Sequence, residues 1–207
     1  MKDAETLQGR IDAIVIGASA GGVEALSILL PALSAGLRAP LIIVLHLPRE
    51  RPSLLAGIFA PKCALQVKEA EDKMRVAPGT VYFAPPDYHL LLDDGPQFAL
   101  SIDELVHFSR PSIDVLFESA ADIYAERLMG IILTGANDDG AAGLAAVHRA
   151  GGVTLVQEPG SAQAPLMALA ALKRTAADFV LPLEEIASLL NVLAPAEAKP
   201  KDTFRKR

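Results

Sequence analysis

A serine, an imidazole and a carboxylate are the groups with which a protein turns a hydroxyl into a nucleophile toward an acyl carbon. This chain offers one setting for each. Gly17-Ala18-Ser19-Ala20-Gly21 matches G-x-S-x-G, whose small residues allow a sharp turn that holds the serine hydroxyl exposed at a helix start. His46 ends the apolar run Leu41–His46 (LIIVLH). Asp138 and Asp139 lie in Thr134-Gly135-Ala136-Asn137-Asp138-Asp139-Gly140, directly after the apolar segment Gly130–Leu133 (GIIL). Serine alone is a poor nucleophile; it needs a nearby imidazole to take its proton, and the imidazole needs a carboxylate to set its tautomer. Helix N-terminal N–H groups beside Ser19 would help to hold an oxyanion.

The same residues admit other readings. Glycines between a strand and a helix also suit the phosphate cradle of a dinucleotide fold. Here Ser19 stands at the second glycine position, and His46 stands where a ribose-binding acid would be expected. Ser19 could equally be a plain helix N-cap. The motif by itself leaves these three readings level, and His46 and the aspartate pair favour acyl chemistry. The other histidines are placed differently: His148 inside a helical pattern, His107 in a polar connection, and His89 at the start of a hairpin strand, where it either lines the pocket or is structural. No H-E-x-x-H, cysteine pair or zinc-type spacing is present, so no metal is expected.

Three strand ends must converge for this chemistry to work. Ile11–Gly17 reads as a buried strand, Gly22–Leu33 as a helix and Leu41–His46 as a second strand. Short strands over Gln66–Ala70, Thr80–Ala84, His89–Leu92 and Gln97–Ser101 are separated by turn signals such as Asp93-Asp94-Gly95, and predict antiparallel hairpins at one sheet edge. Helices over Ile113–Glu126, Ala141–Arg149, Gln163–Lys173 and Leu183–Leu193 then alternate with strands over Gly130–Leu133, Val153–Gln157 and Phe179–Leu181. This alternation predicts an α/β class: a doubly wound, three-layer α/β/α sandwich with a mostly parallel sheet. In such sheets the ligand crevice lies at the carboxyl ends of the strands, where Ser19, His46 and Asp138/Asp139 fall. Residues 1–10 read as a polar lead-in, 11–193 as one catalytic domain, and 194–207 as a disordered, charge-rich tail.

Composition narrows the function class. At 207 residues and 51% hydrophobic, the chain can bury the core of one such domain. A formal net charge of -6 argues against general nucleic-acid binding, which needs a basic face. Cys63 is the single cysteine, which excludes an intramolecular disulfide and suits the cytoplasm. The nearly uncharged stretch from Ala13 to Leu37 carries Glu24, a glycine cluster and Pro31, and its flank lacks the basic region of a signal peptide; it reads as strand plus helix, not as a membrane span.

Seven segments occur in one order: Gly17–Gly22, His46-Leu47-Pro48, Lys68–Asp72, Tyr82–Pro86, Arg110–Phe117, Leu133–Gly143, and Gln157-Glu158-Pro159 with Ser161-Ala162. That order resembles the catalytic domain of the chemotaxis protein-glutamate methylesterases (CheB), over about Ile11 to Leu190. The resemblance implies Ser19 as nucleophile, His46 as general base and Asp139, not Asp138, as the triad carboxylate. It further implies oxyanion donors at the backbone N–H groups of Ala20 and Ala136. Ala20 and Ala136 replace a hydroxyl residue and a methionine common in the family, and Pro165-Leu166-Met167-Ala168 stands where Gly-Met-Pro is usual. The implied substrate is a methyl-esterified glutamate on a chemoreceptor, with glutamine deamidation by the same chemistry. A receptor-binding scaffold with a non-working triad is the second reading, and a dinucleotide module the third. Only ten residues precede the first predicted strand, so the family's receiver domain is expected to be missing and control by phosphorylation in cis with it. The loop Pro48-Arg49-Glu50-Arg51 offers two cations that would steer an acidic receptor segment. If it does so, replacing Arg49 and Arg51 by alanine will slow receptor turnover more at low salt than at high salt; a salt-independent result returns the loop to a plain surface role.

Overall fold

The computed structural model describes residues 4–47 and 52–194. The tail expected over 194–207 and the Pro48–Arg51 loop therefore lie, apart from Ala194, outside the described residues. Among the described residues seven strands form one wholly parallel sheet. They are β1 (Ala13–Ala18), β2 (Leu41–Leu45), β3 (Gln66–Glu69), β4 (Thr80–Phe83), β7 (Leu128–Ile132), β8 (Val153–Gln157) and β9 (Phe179–Leu181), in the order β3-β4-β2-β1-β7-β8-β9. The helices are α1 (Gly22–Leu29), α2 (Leu55–Phe59), α3 (Ile113–Tyr124), α4 (Ala141–Arg149), α5 (Leu166–Arg174) and α6 (Leu183–Val192).

The central strands are buried on both faces, so their side chains alternate between two apolar cores. Ile14, Ile16, Leu41, Ile43, Met129 and Ile131 point to one core, shared with α1 and α6. Val15, Ile42, Val44, Leu128 and Ile132 point to the other, shared with α3, α4 and α5. This two-sided burial is why the strands read as continuous β-branched runs. The chain builds outward from β1 through β2 to β4 and β3, and later from β7 through β8 to β9 on the other side. The order reverses between β1 and β7, and that switch point is where an open α/β sheet leaves its crevice.

The doubly wound class holds, with corrections in detail. Gln66–Ala70 and Thr80–Ala84 do not make antiparallel hairpins; as β3 and β4 they extend the parallel sheet. Among the described strands, β5 (His89–Asp93) and β6 (Gln97–Ser101) alone pair antiparallel, as a two-stranded sheet of their own. Short strands carry no sequence mark of direction, since the partner decides it. The first helix ends at Leu29, and a 3-10 turn over Leu30–Ala32 takes over at Pro31, which cannot donate to a continuing helix. The lead-in is more than polar: Leu7 of a 3-10 turn is fully buried, and Gln8 donates to the Ala194 carbonyl. One apolar residue without a period leaves no pattern to read.

Two glycines let α3 reach the site. Gly17 in β1 and Gly140 at the start of α4 both face Ile113, the first residue of α3. Gly140 also has φ 95, where side chains are strained, and a Cβ there would lie 2.5 Å from Ile132 Cδ1 and 2.7 Å from Ile113 Cγ2. Gly140→Ala should therefore destabilise the fold by roughly 2 kcal/mol or more in urea denaturation, from strain and overpacking together. Gly57→Ala, within α2 and with open space at its Cβ, is the control and should be neutral or stabilising.

Candidate active site

Ser19 follows β1 directly, and His46 follows β2 directly. Ala18 and Leu45 are paired in the parallel ladder, and the His46 amide donates to the Ala18 carbonyl at 3.1 Å. The two side chains thus leave the sheet as neighbours. Ser19 is also tied to the far side of the switch point, because its amide donates to the Thr134 carbonyl at 2.9 Å. The Thr134 hydroxyl donates to the Ala20 carbonyl at 2.9 Å. The serine turn and the aspartate loop are thereby held as one unit.

Asp139 is fully buried and is the centre of the site. Its Oδ2 accepts from His46 Nε2 at 2.9 Å and from the Ile113 amide at 2.8 Å. Its Oδ1 accepts from the Ser112 hydroxyl at 2.9 Å and the Asp114 amide at 3.0 Å. Both amides are first-turn donors of α3 with no partner inside the helix, so the carboxylate from the β7 loop caps α3. Burial alone would raise the Asp139 carboxyl above its ordinary value. The bond from His46, then those from the Asp114 and Ile113 amides, outweigh it and hold the carboxyl below that value. Accepting the Nε2 proton leaves His46 Nδ1 as the ring's basic atom, and Asn137 Nδ2 faces it at 3.4 Å.

Asp138 does something else. Its side chain is exposed and pairs with His107 Nδ1 at 3.2 Å, while His107 Nε2 faces Asp114 Oδ2 at 3.3 Å. Asp114 is buried, which raises its carboxyl; the Gly143 amide opposes that rise and the Asp139 charge adds to it. His107, Asp114 and Asp139 each bring a ligand-type atom within 4.8 Å of the others. Asp139 already takes four donors and Asp114 takes the Gly143 amide at 2.6 Å, so the set works as a hydrogen-bonded hub. His89 does not line the pocket. It is buried, with Nε2 bonded to the Glu104 carbonyl and Nδ1 accepting the Ser112 amide, so it is a structural support behind α3.

Two rival readings of the Ser19 loop lose their footing. The N-cap of α1 is Gly21, not Ser19. The space above Gly21, where a phosphate would approach, holds the Gln163 side chain. The amides of Ala20 and Ala136 flank the same tied segments, and among the described residues neither is paired with an acceptor. Beside His46 a cavity of about 70 Å³ is lined by Leu47, Phe108, Ser109, Arg110 and Pro111, roughly two water volumes. Phe108 is 93% exposed at its rim.

Comparison with known proteins matches this frame. The family model for CheB methylesterase covers residues 14–190. The chain belongs to the CheB methylesterase family. A Leptospira interrogans relative, provisionally named a protein-glutamate methylesterase/protein-glutamine glutaminase, is 47% identical over 86% of this chain and 92% of its own length. A Geobacter metallireducens protein of that name is 40% identical over 84% of this chain but only 50% of its own length. The crystal structure of the Thermotoga maritima CheB methylesterase catalytic domain superposes with a TM-score of 0.84 at 34% identity, covering 88% of this chain and 98% of that one. Within the CheB frame, sequence reasoning missed Ser112, the α3 amides, His107 and Asn137 as parts of the site. Only Ser112 carried a signal, as a serine immediately before a helix.

The lowered Asp139 value fixes the sign of a pH effect. Its charged form is favoured by folding, so its contribution is present above the unfolded value of about 3.9 and is lost as pH falls through the lower native one. Asp114, shifted upward, acts with the opposite sign. In urea titrations from about pH 6 to about pH 3, the stability gap between the wild type and Asp139→Asn should narrow toward acid. A gap independent of pH would contradict the charged hub.

Proposed function

We propose that this chain is a serine hydrolase that removes methyl esters from glutamate side chains of chemoreceptors and deamidates receptor glutamines. The observation that carries this reading is the 2.9 Å bond from His46 Nε2 to buried Asp139, at a strand end adjacent to that of Ser19. Residues 11–193 are taken as the catalytic domain. The names of the relatives support the substrate class.

In this mechanism His46 Nδ1 takes the proton of Ser19 Oγ as the oxygen attacks the acyl carbon. Asp139 holds the ring in the tautomer that leaves Nδ1 basic and stabilises the imidazolium that forms. The tetrahedral oxyanion rests on the backbone N–H groups of Ala20 and Ala136. Nδ1–H then protonates the ester oxygen or amide nitrogen as its bond to carbon breaks, and methanol or ammonia leaves. Water attacks the acyl-enzyme, again through His46, and releases a glutamate side chain. The cavity beside His46 is large enough for an ester methyl group. No metal or organic cofactor takes part in these steps.

The partner is a methylated chemoreceptor, and a cytoplasmic site of action fits it. Among the described residues no helix is long and apolar enough to cross a membrane. A groove of about 450 Å³ beside Asp138, lined by Ala141, Ala170, Lys173 and Arg174, offers two cations to an acidic receptor segment.

The test is methanol release from a methylated receptor fragment. Ser19→Ala should lose on the order of 10³-fold or more in turnover with the fold retained. Asp139→Asn should cost far more rate than Asp138→Asn, since only Asp139 bonds His46. Near-normal release by Ser19→Ala, or equal losses in the two aspartate variants, would sink the assignment.

A further inference from the structure

Asn137 touches His46 directly and the mechanism above leaves it unused, and its two ends are in opposite states. Nδ2 lies 3.4 Å from His46 Nδ1, whereas Oδ1 is buried and, among the described residues, has no hydrogen-bond donor. The amide cannot simply be turned around. Asp139 Oδ2 accepts a hydrogen bond from Nε2–H, so His46 Nδ1 carries a lone pair, and an Oδ1 facing it would set two acceptors against each other. With Nδ2 toward the imidazole, Oδ1 is left as a buried acceptor. Such an atom costs free energy until something donates to it.

His46 Nδ1 is the atom that delivers the proton to the leaving group, so the leaving atom must come within hydrogen-bond distance of Nδ1. Asn137 Nδ2 faces the same atom at 3.4 Å, so its amide borders the space the leaving atom must enter. The two substrates of the proposed function differ there in one respect. The leaving oxygen of a methyl ester bears no hydrogen, while the leaving nitrogen of a primary amide bears two. An ester therefore offers Oδ1 nothing, and an amide offers it an N–H.

We infer that Asn137 is a specificity-determining residue that favours the amide over the ester, its Oδ1 accepting an N–H from the leaving nitrogen of glutamine. The inference rests on the reading of the chain as a methylesterase and glutaminase. Ser19 Oγ forms its bond to the side-chain carbonyl carbon while its proton passes to His46 Nδ1. The C–N bond then breaks as that proton moves to nitrogen, and ammonia leaves. Asn137 Oδ1 holds one N–H of the nitrogen as it becomes pyramidal, which orients its lone pair toward Nδ1–H. Nδ2 donates to Nδ1 only while the ring is neutral, before the first of these steps and after the last. Sites that satisfy a substrate N–H discriminate against analogues lacking it, because the site's own polar group is otherwise left unpaired.

The experiment uses the full chain and two forms of one chemoreceptor cytoplasmic fragment, carrying either glutamine or γ-methyl glutamate at the modified position. Ammonia and methanol release give kcat/KM for each. In Asn137→Ala the amide-to-ester ratio of kcat/KM should fall by roughly tenfold relative to wild type, the loss expected for one hydrogen bond made in the transition state. Asn137→Ser, which keeps an acceptor oxygen, should recover part of the ratio. Because the ratio is internal to each preparation, partial unfolding lowers both rates and leaves it unmoved. Equal losses on both probes, or a ratio unchanged in Asn137→Ala, would overturn the role of Asn137 while leaving the hydrolase reading in place. Turnover of neither probe by the wild type would overturn that reading itself, and Asn137's role with it.

Discussion

One buried carboxylate organises this molecule. Asp139 stays charged in the interior because four donors surround it, two of them backbone amides at the start of α3. Removing a charge from water is expensive, and only such a full complement of donors offsets the cost. The same interaction serves three ends at once. It caps α3, it closes the loop after β7 against the sheet, and it fixes which nitrogen of His46 carries the proton. Structure and chemistry therefore share a single electrostatic requirement.

That requirement reaches into packing. The α3 amides meet Asp139 only if Ile113 sits close to β1 and to the start of α4, and Gly17 and Gly140 leave the room for it. Behind α3, His89 holds the Ser112 amide and is itself held by the Glu104 carbonyl. In front, His107 links Asp114 to Asp138. The hairpin of β5 and β6, the connection that follows it and the loop after β7 thus all lean on one helix terminus.

The two aspartates illustrate how position sets chemistry. Asp138 and Asp139 are adjacent in sequence and identical in type, yet one is an exposed partner of His107 and the other a buried hub. Consecutive residues in a tight turn before a helix point in different directions. Only one can reach inward toward α3. Asn137, one residue earlier, faces the opposite ring nitrogen of the same histidine, so neighbours in one loop grip His46 from two sides.

The sequence by itself determined the order of elements, the two-sided burial of the parallel strands and the three strand ends at which Ser19, His46 and Asp139 lie. These follow from local information: β-branched runs, glycine turns and the alternation of periods, each set by a few adjacent residues. It also carried the family, through motifs spread along nearly the whole chain. Tertiary structure alone decided that β3 and β4 run parallel in the main sheet, that Leu7 is core, and that His89 is a support. It alone revealed the donors that hold Asp139 and the amide of Asn137 at His46 Nδ1. Each of those facts is a meeting of segments 14 or more residues apart, and strand direction, burial and hydrogen-bond partners belong to the pair that meets. No window of sequence contains both members of such a pair.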